Sequence, residues 1–142
     1  MKRRQIVGLT SQIWDIFVQD SSSTTGAGLG SLAYNTSGLT CKYKRTGDSS
    51  WTTVSLASAT AGTFTSGGFA AAGSAPTGHY EFHPPNAALA TGARAVVFSL
   101  YGAANMLPVN IEVELDATAT DSSGNDLATS SQATAIKAKT DN

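Results

Sequence analysis

Charge is sparse in this chain: Asp, Glu, Lys and Arg supply 13% of its 142 residues, against roughly a quarter in ordinary soluble domains. Its net charge is −1. Beyond two short clusters, Lys2-Arg3-Arg4 and Lys42 and Lys44 with Arg45, it has no electrostatic footprint for a nucleic-acid backbone. Both clusters read as solvated faces or docking contacts, and nucleic acid is not an expected partner. Cysteine is scarcer still. With Cys41 alone no internal disulfide can form, and the fold must hold by packing. Its place in an alternating pattern makes Cys41 a small buried hydrophobe rather than a nucleophile. No apolar run approaches the length of a membrane span, so no membrane partner is expected. The basic start followed by Ile6-Val7 has the opening of a secretory leader, but Gln12, Asp15 and Gln19 interrupt it and no small-residue cleavage site follows. The expectation is a protein made and kept in a cytoplasm.

What is abundant is Ser, Thr, Ala and Gly between short strand-like runs. Gln12–Gln19 is rich in β-branched and aromatic residues and gives way to DSSSTTGAGLGS, a strand ending in a long mobile loop. Leu39, Cys41 and Tyr43 alternate with Thr40, Lys42 and Lys44, the period of a half-buried strand. After the hairpin-like spacer Thr46-Gly47-Asp48, Trp51–Leu56 is expected to pair with that strand. Gly62 to Gly78 holds short pieces punctuated by glycine. In His79–His83, Tyr80 and Phe82 point one way and both histidines the other. Pro84-Pro85 ends that strand, and Asn86–Thr91 with Gly92 after it suggests a short helical turn capped at its C-terminal end. Arg94–Leu100 reads as an apolar strand. Pro108–Leu115 returns with Val109, Ile111, Val113 and Leu115 inward and Asn110, Glu112 and Glu114 outward. The implied fold is all-β, an antiparallel β-sandwich of Ig-like or jelly-roll-like type over residues 1–115. Its expected core includes Ile13 or Trp14, with Val54, Phe82, Val97, Ile111 and Val113.

Residues 116–126 contain no large apolar side chain and read as an exposed polar linker. Beyond Asp126, Gly and Pro vanish and residues 127–142 read as the start of a helical stalk. Thr129, Ala133, Ile136 and Thr140 recur at steps of four, three and four, one weak helical stripe that would gain from packing against copies of itself. A frayed polar terminus is the plain alternative.

Candidate chemistry is thin. His79, Glu81 and His83 share one strand face at two-residue spacing, and two imidazoles with a carboxylate could begin a zinc site, but a fourth ligand is not visible. Exposed or interface polar residues are the better reading. Asp116, Asp121, Asn125 and Asp126 offer hard oxygen ligands without the order of a calcium loop. Gly26-Ala27-Gly28-Leu29-Gly30 lacks the Lys-Ser or Lys-Thr of a phosphate cradle, and Gly8-Leu9-Thr10-Ser11 lacks a hydrolase elbow. Asn35-Thr36-Ser37 is a formal glycosylation sequon of little meaning without a secretory leader. No catalytic residues, cofactor or metal are assigned, since no nucleophile, base and orienter occur together.

Several segments, in order, resemble a module of tailed bacteriophages and marine viral sequences found near the N-terminus of tail, baseplate or fibre proteins. They are Asp20–Leu29 (DSSSTTGAGL), Leu32–Thr40 (LAYNTSGLT), Tyr43-Lys44-Arg45, Ser66–Phe69 (SGGF), Pro84–Gly92 (PPNAALATG) and Gly102–Met106 (GAANM). The resemblance covers most of Gln5–Leu115 and extends to Ile136–Asn142 (IKAKTDN), which looks like a lead into a longer stalk. Relatives often carry a longer acidic stretch before the glycine-tyrosine strand, where this chain has Ala70–Ala75 (AAAGSA). The resemblance implies a virion structural protein, assembled in the host cytoplasm, that docks a fibre, spike or baseplate component. It further implies other virion proteins as partners and a homo-oligomer, a trimer above all, through Thr129, Ala133, Ile136 and Thr140. A capsid decoration protein is one alternative. A carbohydrate-binding sandwich is another, with Trp51, Tyr34 and Tyr80 as sugar platforms.

Overall fold

The computed structural model describes residues 1–117, which form nine strands and one short 3-10 helix. The stalk over 127–142, with Thr129, Ala133, Ile136 and Thr140, lies outside the described residues, as does all but the beginning of the expected linker. The strands are β1 (Lys2–Ile6), β2 (Trp14–Phe17), β3 (Thr40–Arg45), β4 (Thr52–Val54), β5 (Ala57–Ser58), β6 (Gly68–Ala70), β7 (His79–Phe82), β8 (Ala95–Tyr101) and β9 (Val109–Asp116). They make two sheets, one in the order β1-β9-β8-β3-β4 and the other β2-β7-β6-β5, sharing one apolar core. The chain is thus nearly all-β, an arrangement consistent with a β-sandwich.

Alternation fixes which face each strand buries. In β9, Val109, Ile111, Val113 and Leu115 are buried while Asn110, Glu112 and Glu114 are exposed, as the two-residue period requires. Across from it, β8 buries Val96, Phe98 and Leu100. Val97 therefore lies on the outer face, which corrects its expected place in the core. The local run Ala-Val-Val-Phe-Ser-Leu allows either face inward, and burying Phe98 and Leu100 removes far more apolar surface from water than burying Val97 and Ser99. Trp14 rather than Ile13 enters the core from β2. There the Trp14 ring meets Phe98 edge-on at 5.5 Å, and Phe82 of β7 meets Phe98 edge-on at 5.4 Å. These aromatic contacts join the two sheets directly.

The sheets are mixed, not antiparallel throughout. β1 pairs parallel with β9, and β5 pairs parallel with β6. The basic residues at the start of the chain carry no local strand signal. Their pairing partner lies more than a hundred residues away, so the contact that makes them a strand is invisible to periodicity. β1 is amphipathic in cross-section. Arg4 faces outward, 3.0 Å from Asp116 and 3.8 Å from Glu114. Arg3 turns inward and sets its guanidinium 4.8 Å above the Trp14 ring, bridging to the second sheet. β9 continues to Asp116, one residue beyond the expected body.

The expected turn after Pro84-Pro85 is a 3-10 helix over Asn86–Leu89. Extended Ala90 ends it, rather than Gly92, whose φ of +102° belongs to the turn before β8. Between β2 and β3 the long loop is fastened at several points. Asp20 accepts from the Ser22 N–H and hydroxyl, Leu29 N–H donates to the Val18 carbonyl, and the Tyr80 hydroxyl donates to the Leu29 carbonyl while accepting from Leu32 N–H.

Candidate functional site

Two surfaces stand out, and both follow from the sheet order. The first is the side of the molecule where β1 edges one sheet and β2 edges the other. Because β2 alternates, the burial of Trp14 and Ile16 throws Phe17 outward, where it is 41% exposed. Met1 ahead of β1 and Leu107 ahead of β9 are exposed beside it, at 54% and 39%. They line a cleft of about 550 Å³ together with Asp15, His79 and Val109. The His79 ring packs on Phe17 at 5.1 Å and a tilt of 48°, which holds the aromatic face in place. The cleft is apolar with a rim that can hydrogen-bond, the composition of a protein contact.

The second surface lies on the outer face of the five-stranded sheet. Lys42 of β3 sits opposite Ser99 of β8, and Ser99 opposite Asn110 of β9, so three polar side chains form one row across three strands. Trp51, 47% exposed just before β4, and half-buried Tyr101 at the end of β8 flank the row. The five residues line a trough of about 360 Å³.

Elsewhere, the residues singled out for chemistry serve the fold. Of His79, Glu81 and His83, the last two meet at 3.1 Å while His79 does not join them. His79 joins the apolar cleft. His83, contrary to the expectation of an exposed side chain, is fully buried beyond the end of β7, where the two-residue alternation no longer governs it. Its Nδ1 accepts from the Thr65 N–H at 3.1 Å, so the ring proton sits on Nε2 and donates to Glu81 Oε1 at 3.1 Å. Glu81 also accepts from the Gly62 N–H at 2.9 Å. That backbone bond first, and then the His83 bond, hold the Glu81 carboxyl below its ordinary pKa against the opposing effect of burial. Among the described residues no hydroxyl or thiol donates to His83, and the pair clasps the Thr60–Gly67 loop. Among the described residues no group of three or more His, Cys, Asp and Glu side chains is placed to hold a metal ion.

Tyr80 is buried at 5% exposure, with its hydroxyl committed to the loop, and is no sugar platform. Tyr34 is exposed on the same loop and does not line the trough beside Trp51. Cys41 is fully buried, and burial pushes its thiol up to about 12. Arg45, in the second basic cluster, donates through Nη2 to the carbonyls of Ala90 and Thr91, tying β3 to the segment after the 3-10 helix. Periodicity placed Phe17 on a strand but could not show that the strand is an edge, and Tyr101 carried no signal because Trp51, which lines the same trough, lies fifty residues away in sequence.

No family model, curated protein or solved structure matches the chain.

Proposed function

We propose that the chain is a structural component of a tailed-bacteriophage virion, a β-sandwich head that docks a fibre, spike or baseplate component onto the particle. The observation that carries this reading is the apolar cleft of Met1, Phe17 and Leu107 along the open edges of both sheets. Large side chains left in water beside two strand edges that have no further neighbour among the described residues are the kind of surface another protein covers. The ordered resemblance of residues 5–115 to phage modules supports the same role.

The strand orders favour the Ig-like over the jelly-roll-like form. β2-β7-β6 follows the B-E-D order of an Ig sheet, and β9-β8-β3-β4 follows G-F-C with an added C′ strand. In the assembled particle Thr129, Ala133, Ile136 and Thr140 would line the axis of a small symmetric oligomer, a trimer by preference.

The test is incorporation. In density-purified particles the chain should be detected by mass spectrometry, and Phe17→Asp should reduce its share of the particle while leaving its melting temperature within a few degrees. Absence of the chain from purified particles, or full incorporation of the Phe17→Asp variant, would remove this reading.

A further inference from the structure

We propose that the trough between Trp51 and Tyr101 binds a pyranose ring of a glycan. It lies on the outer face of the five-stranded sheet, and of its lining residues only Asn110 also borders the docking cleft.

The argument begins with placement. Trp51 lies beside Lys44 by continuation of the β3–β4 register, while Tyr101 lies opposite Thr40, so the two residues stand on opposite sides of the row formed by Lys42 and Ser99. An exposed tryptophan on a sheet face has no packing reason to be there, since Val54 of the same segment supplies the core contact. Between the rings the floor is polar. Among the described residues, the side-chain hydrogen bonds and ion pairs run elsewhere, leaving Lys42, Ser99 and Asn110 with free polar atoms toward the trough. An apolar peptide segment would strand those donors and acceptors without partners, a costly outcome once water is excluded. A sugar ring has the matching chemistry. Its C–H faces lie on aromatic rings, and its hydroxyls both donate and accept, which suits an ammonium, a hydroxyl and a carboxamide in a row. At about 360 Å³ the trough is at the small end of ligand sites, enough for one or two rings of a longer chain.

The probe is an array of purified bacterial surface polysaccharides, read with the full chain and with three variants. Wild type should bind at least one polysaccharide. Trp51→Ala and Tyr101→Ala should each weaken that binding about tenfold, as expected for loss of one aromatic contact together with its buried area. Phe17→Asp should bind as wild type, which separates this site from the docking cleft. Trp51→Phe guards against misreading a folding defect, since it keeps a ring and should retain part of the affinity. No binding by wild type on the array, or equal binding by wild type and a folded Trp51→Ala variant, overturns the proposal.

Discussion

Gly28 and Gly78 show how a single absent methyl group governs this fold. A Cβ on Gly28 would sit 2.1 Å from the Thr77 carbonyl oxygen, and one on Gly78 would sit 2.5 Å from the Gly28 Cα. Backbone presses on backbone there, and no side chain can give way. Gly28→Ala should therefore cost about 1–3 kcal/mol or more in chemical denaturation, as overpacking does. Gly47 is the control: its φ is +98° but a Cβ would meet nothing within 4 Å, so alanine there should cost only the left-handed backbone penalty of about 1–2 kcal/mol. Gly28 has no left-handed φ, so a Gly28→Ala variant as stable as the parent would show that the close approach is not a constraint. In the sequence the glycine run 26–30 is legible as a loop that cradles no phosphate, but not as a place where two chain segments touch, because Gly28 meets Thr77 and Gly78 from far along the chain. Cys41 was legible in full. Burial holds its thiol at about 12, above the ordinary 9.0, so the folded state keeps a proton that the unfolded state loses first. Stability from this group is complete below about pH 9 and declines as pH rises toward 12. A thiol reagent at pH 8 should leave the native chain unmodified and label it promptly in denaturant; fast labelling of the native chain would contradict the burial.

At the scale of elements, the loop between β5 and β6 is held from one side by a charged clasp. Glu81 binds the Gly62 N–H, and His83 binds the Thr65 N–H while donating to Glu81. Phe64 stacks over the His83 ring at 6.0 Å. Gly68 lacks a Cβ that would lie 2.6 Å from His83 Nδ1, so the imidazole fills space that a side chain would otherwise take. Because the folded Glu81 pKa is lowered, the unfolded chain binds more protons in the acid range. The stabilisation is present above the ordinary glutamate value of 4.5 and is lost as pH falls through the lower folded value. Glu81→Gln should flatten that acid limb of the stability curve and speed hydrogen exchange at the Gly62 amide. An unchanged acid limb would mean the carboxylate contributes nothing there. Sequence reasoning placed both residues on one strand face and could not foresee the clasp, because the loop that closes it comes from a stretch with no strand period. β1 was missed for a related reason: its strand character lies in its pairing with β9, not in its own residues.

The whole molecule coheres through Phe98. It belongs to the five-stranded sheet yet packs edge-on against Trp14 and Phe82 of the other, and it also meets Tyr43 at 5.5 Å within its own sheet. Two sheets tied at one aromatic node should lose structure together. The chain has two tryptophans, and Trp51 is exposed, so a Trp51→Phe background leaves Trp14 as a fluorescent reporter of the node itself. In that background the Trp14 signal and the far-ultraviolet strand signal should change in one coincident denaturant transition. Phe98→Ala should then lower stability by about 3–5 kcal/mol, a large share of the roughly 5–15 kcal/mol that holds an ordinary domain together. Ile111, paired with Phe98 in register and fully buried, should cost about 2–5 kcal/mol as alanine. If the fluorescence transition instead preceded the loss of strand signal, the sheets would be separable units. The common core would then be a contact between two independently stable layers rather than the source of their stability.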